Sequence, residues 1–361
     1  AYDAIRVVVP TLCLLMAIGV MIGTWLQSGT IATIIAGGLK LIDPTWLLPL
    51  TLVFCAVLSL VTGTSYGSVG SAGVAMMAIG NAMGIKPGMV AGAVICGAMF
   101  GDKLSPLSDT TNLAPAVAGA KLNDHVRSML WTTLPTFVIS LVLFVILGIS
   151  QTSGGYEEGN LLVYTEALQG EFKLGLVTLI PAAVIIVLLL CKVNAIVSLG
   201  LSSVCAGAVA FFCQGATLQS IIRVAYNGYT TQIEEAVLKT ILNRGGMSSM
   251  LQYVAIICFA VGMGGMLDRL GVLDNILRAI TGRINSDGGL IFATLLVGYI
   301  TSLISCSQPM SHVLTGNMMK PLFKERKIAP EILSRSLEDA GTLSGPMIPW
   351  HGYCVFMAGT L

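Results

Sequence analysis

Apolar positions along this chain come in long unbroken runs, not in the alternation of a strand or the one-sided stripe of a surface helix. Residues 7 to 26, 45 to 62, 128 to 150, 171 to 191 and 288 to 304 each approach or exceed the roughly 20 apolar residues that cross a bilayer core, and 193 to 213 adds a further run. The pattern predicts an all-α polytopic membrane protein. Lys192-Val193-Asn194 predicts a tight turn between two of these spans. Residues 216 to 246 break the pattern, with Arg223, Glu234, Glu235, Lys239 and Arg244 set among apolar positions. An amphipathic helix lying in the membrane interface and a soluble loop fit that stretch equally well.

A longer period underlies the runs. Sliding the chain by 243 positions places Leu60 on Leu303, Gly73 on Gly316, Met76 on Met319, Ile85 on Ile328, Pro87 on Pro330 and Pro106 on Pro349 without a gap. It also places Thr62-Gly63-Thr64-Ser65 on Ser305-Cys306-Ser307-Gln308. The segment before Pro87 carries one charge, Lys86, whereas its counterpart before Pro330 carries Lys320, Lys324, Glu325, Arg326 and Lys327. Opposite sides of the membrane would explain that asymmetry. The expectation is therefore two inverted-topology repeats with interrupted helices or hairpins meeting near the midplane, an arrangement common in secondary transporters. Residues 1–127 would be the first repeat, 128–247 connecting scaffold helices with the amphipathic segment, and 248–361 the second, inverted repeat.

Composition sharpens this. Of 361 residues, 55% are apolar and 10% charged, against about 25% charged in a soluble domain. The net charge of +1 leaves no basic stripe for phosphates, which excludes nucleic acid as a partner. The nine cysteines lie mostly inside apolar runs with no CxxC pair and read as reduced packing residues. Glu157, Glu158, Glu166 and Glu171 fall in a segment without lysine or arginine, which places it outside, and Lys121 and Arg127 inside. The chain starts at Ala1 and reaches an apolar helix within a few residues, with no features of a signal peptide; a missing N-terminal part is expected.

Candidate chemistry concentrates in GDKLSPLSDTTNLAP, residues 101 to 115. Between Asp43 and Asp102 the only charge is Lys86; then Asp102 and Asp109 arrive seven residues apart. A charge at the bilayer centre costs at least about 2.5 to 3.5 kcal/mol, so intramembrane carboxylates usually face a cavity and serve a pathway. On a continuous helix both would share a face, but Pro106 predicts a break. Ser105, Ser108, Thr110, Thr111 and Asn112 could restore the freed backbone bonds or offer oxygen ligands. Competing structural roles are an N-cap for Asp109 and an ion pair with Lys103 for Asp102. In the second half, Asp339 stands in SLEDAGTLSGP with Thr342 nearby, and either pairs with Arg335 one turn earlier or joins the site. Ser307 and Gln308, opposite Thr64 and Ser65 in the repeat, are neutral oxygen ligands or helix caps. His312 is either a packing residue or a pH-responsive group. Gly63-Thr64-Ser65-Tyr66-Gly67 matches the GxSxG nucleophile elbow in form only, because that motif needs a preceding strand and a histidine base; an enzyme is not expected.

Four stretches carry a family resemblance: GTSYGSVGSAGVAMMAIGNAMGI (63 to 85), GAMFGDKLSPLSDTTNLA (97 to 114), GTWLQSGT (23 to 30) and RSLEDAGTLSGPMIPWH (335 to 351). The chain resembles the NhaC family of sodium/proton antiporters over nearly its whole length. His351 departs from the pattern, where asparagine would be expected. The resemblance implies inverted repeats with hairpins and alternating access in a bacterial cell membrane, with sodium and protons as transported ions, no cofactor, the lipid bilayer as surroundings and a homodimer as the assembly to test. Asp102 and Asp109 would take turns holding either cation, since burial favours a protonated carboxyl and bound sodium a charged one. Asp102, Asp109 and Asn112 would ligate sodium; Thr64, Ser65, Ser105, Ser307 and Gln308 would add neutral oxygens, with Asp339 and Thr342 completing the site. Exchange of small organic anions such as malate and lactate is the alternative, with Asn317, Trp350 and His351 as added donors.

Overall fold

Hydrocarbon cannot satisfy backbone N–H and C=O groups, so an apolar run must bond within itself as a helix. The computed structural model describes residues 2–152, 159–271 and 286–361, and helices account for nearly all of them, with no strand among the described residues. In chain order they are α1 (Tyr2–Gln27), α2 (Thr30–Leu41), α3 (Pro44–Thr62), α4 (Ser65–Ser68), α5 (Val74–Ala82), α6 (Pro87–Leu104), α7 (Asp109–Ala118), α8 (Leu122–Thr152), α9 (Gly159–Glu171), α10 (Ile180–Leu190), α11 (Ala195–Gln214), α12 (Leu218–Asn227), α13 (Ala236–Leu242), α14 (Met247–Arg269), α15 (Asp287–Ser305), α16 (Gln308–Glu325), α17 (Pro330–Leu337) and α18 (Gly352–Thr360). Six helices are long and apolar enough to cross a membrane among the described residues, and two further pairs bend at short breaks, by 48° between α6 and α7 and by 87° between α9 and α10. This is a multi-pass membrane protein. Along α8, Leu130, Trp131, Leu134, Val138, Ile139, Val142, Leu143 and Ile146 are all exposed, an apolar face too large for water and suited to lipid.

Two predicted elements come out differently. The run 171 to 191 is not one continuous helix: α9 ends at Glu171, and a 3-10 turn at Leu176–Leu179 leads into the short α10. The corner between them is held by Gln214, whose amide brackets Lys173 from both sides (Lys173 N to Oε1 3.0 Å; Nε2 to Lys173 O 3.1 Å). The stretch 216 to 246 is neither one helix nor a loop. It forms α12 and α13 around a non-helical segment that Glu171 draws out by accepting from the Tyr229 hydroxyl at 2.6 Å and from Thr231 Oγ1. The tight turn at Lys192 is present, with φ at +61°. Glu157 and Glu158 of the predicted outside segment lie outside the described residues.

The offset of 243 reappears in the backbone. Helix α3 ends at Gly63 with φ at +70°, Thr64 is extended at the N-cap position and α4 begins at Ser65. Helix α15, also 19 residues long, ends at Cys306 with φ at +56°, Ser307 is extended and α16 begins at Gln308. Further on, Gly84 and Lys327 both take positive φ, and Ile85 N bonds Gly80 O as Ile328 N bonds Phe323 O. Two copies of one local design are thus present.

Packing divides the chain into two units. The first comprises Ala1–Leu12, Met99–Phe137 and Tyr253–Gly359; the second comprises Cys13–Ala98, Val138–Gln252 and Thr360–Leu361. In the first unit, α7, α15, α16 and α17 close on Ala114, Ala118, Leu290, Val297, Met319, Phe323, Leu333 and Leu337, a buried core lying beside the chemistry described below. In the second unit, α1 meets the α13–α14 connection at backbone contact: Gly246 N donates to Gly19 O at 2.7 Å, and a Cβ on Gly246 would lie 2.1 Å from Gly228 N.

Candidate functional site

The first unit holds both interrupted stretches that carry carboxylates. Helix α6 stops at Leu104 because Pro106 has no N–H to continue it. Polar side chains around the break bond the carbonyls it frees. Thr111 Oγ1 donates to Asp102 O at 3.0 Å, and Asn112 Nδ2 donates to Pro106 O at 2.9 Å and Ser108 O at 2.7 Å. Ser105 is fully buried, and its Oγ accepts from Leu107 N at 3.3 Å. The expected break is there, and Thr111 and Asn112 serve first to restore its backbone bonds.

The two aspartates differ in setting. Asp102 is 7% exposed, whereas Asp109 is exposed at the first position of α7 with Ser108 as N-cap. A carboxylate there is stabilised by the helix dipole.

The second interrupted stretch begins where α17 passes into a π-helical turn, Glu338–Thr342. Such i→i+5 bulges often mark functional sites. Close approach of backbone to neighbours is achieved with two glycines: a Cβ on Gly341 would stand 2.7 Å from His312 Cδ2, and one on Gly298 would stand 2.7 Å from the Ala340 methyl. The turn presents Asp339 to Lys103, whose Nζ donates to Oδ1 at 2.7 Å with the side chains 20% and 3% exposed. Asp339 therefore pairs with Lys103 from 236 residues away, and not with Arg335 as the helical spacing suggested. Glu338 beside it is completely buried. Thr342 Oγ1 donates to its Oε2 at 2.5 Å, Thr110 is a further polar neighbour, and Oε1 has no hydrogen-bond partner among the described residues. Thr342 also meets His312 Nε2 at 3.1 Å, and His312 is itself fully buried.

Around this cluster Gln308 donates from Nε2 to Thr342 O at 3.1 Å. Thr301 shares hydrogen bonds with Ser311 at 3.0 Å and Thr315 at 2.8 Å, all three buried. Ser307 is buried at the N-cap position of α16 without a side-chain cap bond. His351 is buried with Nδ1 accepting from Tyr353 N at 3.0 Å, Trp350 Nε1 donates to Leu303 O at 3.0 Å, and Asn317 is exposed. The structure thus brings Asp339, Thr342 and Gln308 together through hydrogen bonds and adds Lys103, Glu338 and His312. Thr64 and Ser65 belong to the second unit, where Thr64 Oγ1 caps α4 by accepting from Gly67 N at 3.3 Å.

Lys103 and Glu338 join this cluster although neither is among the candidate ligands that the sequence suggests, each standing next to an aspartate in the chain. One signal was available: in SLEDAG, two acids in succession among small and apolar residues cannot both face away on a buried helix.

Comparison with known proteins gives one family and three relatives that align with nearly the whole of this chain. The family model described as the Na+/H+ antiporter family matches residues 97–361. The chain is 38% identical over 360 residues to the Na+/H+ antiporter NhaC of Alkalihalophilus pseudofirmus, covering 99% of this chain and 78% of that protein. It is 36% identical to the malate-2H+/Na+-lactate antiporter of Bacillus subtilis, covering 96% of this chain and 74% of that one, and 33% identical to the arginine/ornithine antiporter ArcD of Halobacterium salinarum, covering 96% and 72%. No solved structure matches the chain.

Proposed function

This chain belongs to the Na+/H+ antiporter family, and we propose that it exchanges sodium for protons across a bacterial cell membrane at the first unit's α6–α7 break. The observation that carries the placement is Asp102: a carboxylate 7% exposed, at the end of an apolar helix bent by 48° against its continuation. A carboxylate buried at membrane depth is costly to keep charged, and such groups usually face a cavity and serve a pathway. Bound sodium favours the charged form of a carboxyl and burial the protonated form, so entry of sodium at Asp102 is tied to loss of a proton from the same unit, which couples the two fluxes. Oxygens of Ser105, Ser307, Gln308 and the carbonyls at the break suit a hard cation. Exposed Asp109 takes the mouth position, where it attracts cations toward Asp102. The two local copies at offset 243 support an inverted-repeat scaffold for alternating access, the copies around Thr64-Ser65 and Ser307-Gln308 forming corresponding helix breaks.

The relative named for malate and lactate favours a second reading, exchange of small carboxylates coupled to the same cations. Proteoliposomes holding a pH gradient separate the two. Sodium-driven collapse of the gradient, lost in Asp102→Asn, is the expected result. Collapse that requires malate or lactate would favour the second reading. A response to sodium that survives in Asp102→Asn would remove Asp102 from the exchange site.

A further inference from the structure

Glu338 has no role in the exchange just described, yet it is completely buried. Its setting has three parts. The carboxyl is fully buried, and its Oε1 lacks a hydrogen-bond partner among the described residues. The nearby cation, Lys103, is held at 2.7 Å by Asp339 and so is already neutralised. Finally, Oε2 is joined through Thr342 Oγ1 to His312 Nε2, at 2.5 Å and 3.1 Å.

We propose that Glu338 is the proton-carrying group of the exchange, distinct from the sodium-binding carboxylate, with Thr342 and His312 as its positioning residues. The inference rests on the antiport reading above. A hydroxyl has one proton to give, so the chain of three groups has two self-consistent directions. With Glu338 ionised, Nε2–H of His312 donates to Thr342 and Thr342 donates to Oε2. With Glu338 protonated, Oε2–H donates to Thr342, and Thr342 donates to an unprotonated Nε2. Passing between them, the Nε2 proton moves to the Thr342 oxygen as the Thr342 proton moves to Oε2, and the imidazole takes the replacing proton at Nδ1, which has no partner among the described residues, from water admitted when the site opens. One proton enters at the ring and one arrives on the carboxyl; nothing is oxidised or reduced. The other titratable groups around the chain are Lys103 and Asp339, which neutralise each other, and His125, which is near enough to feel His312, Lys103 and Asp339. Its Nδ1 is bonded to Ser334 Oγ at 2.7 Å.

Full-length protein in liposomes tests this by measuring two things on each variant: sodium-driven proton movement, and counterflow of labelled sodium against unlabelled sodium at fixed pH. Glu338→Gln keeps the shape but cannot cycle a proton; proton movement should be lost while sodium counterflow persists. Thr342→Val should behave likewise, and Thr342→Ser, which restores a hydroxyl, should recover proton movement. Proton movement with the wild-type pH profile in Glu338→Gln would overturn the proposal. So would equal loss of both fluxes in Glu338→Gln and in Thr342→Val, with no recovery in Thr342→Ser, because that is the signature of a structural role. A wild-type protein that moves no protons on adding sodium would fail earlier, sinking the antiport reading and this inference with it.

Discussion

Replacing Lys103 by methionine removes the ammonium while keeping most of the stem, and leaves Asp339 without its counter-ion. The two groups stand 2.7 Å apart with side chains 3% and 20% exposed, so solvent can do little for the stranded carboxylate. Breaking a buried pair on one side costs about 3 to 5 kcal/mol, chiefly the desolvation of the survivor, whereas removing both partners is often close to neutral. The arithmetic predicts strong non-additivity. Lys103→Met and Asp339→Leu should each destabilise by roughly 3 kcal/mol, and the double variant by much less than the sum, with a coupling of at least about 1.5 kcal/mol. Unfolding by SDS in mixed micelles, followed by far-UV circular dichroism, gives the four corners of the cycle. Additive losses within about 0.5 kcal/mol would refute the reasoning, since two groups that pay independently are not neutralising each other.

Other outcomes follow from single contacts. Gly341→Ala adds a methyl 2.7 Å from His312 Cδ2 inside a rigid turn; it should lower stability by about 1 to 3 kcal/mol and abolish proton movement, both measurable on purified protein. Gly246→Ala puts a Cβ 2.1 Å from Gly228 N at a φ of +83°, where neither backbone can withdraw, and should prevent recovery of folded protein on size-exclusion chromatography. The Tyr229 hydroxyl is held protonated by its burial and by its bond to Glu171, which raise its pKa above the ordinary value. A raised folded-state value means the stabilisation is complete below the unfolded pKa of about 10 and fades as pH climbs past it. Melting temperature should therefore decline above that pH in the wild type and decline less in Tyr229→Phe.

The spans were legible because bilayer burial demands uniform apolarity, which survives in the one-dimensional string. The break at Pro106 was legible for the same reason: a missing N–H is a local property of the residue. The corner at Lys173 was not, since the groups that hold it come from Gln214, 41 residues away. The same holds for Asp339. Its spacing to Arg335 is a helix-surface spacing, but the π turn at 338–342 shifts the acid off that face, and its cation comes from the opposite end of the sequence. Pairings across 236 residues leave no trace in local periodicity.

The repeat nonetheless says where such pairings arise. At offset 243, Asp102 and Lys103 correspond to Gly345 and Pro346, and Glu338 and Asp339 correspond to Ile95 and Cys96. Each copy has kept the backbone break and the extended cap residue, but at these four positions each is charged where its counterpart is neutral. Lys103 of one copy pairs with Asp339 of the other, and Asp102 and Glu338 stand in different surroundings, one at a helix break and one in a hydroxyl–imidazole chain. A single scaffold motif used twice can in this way place two acids in settings that are not equivalent, which is what the proposed division between a cation site and a proton site requires.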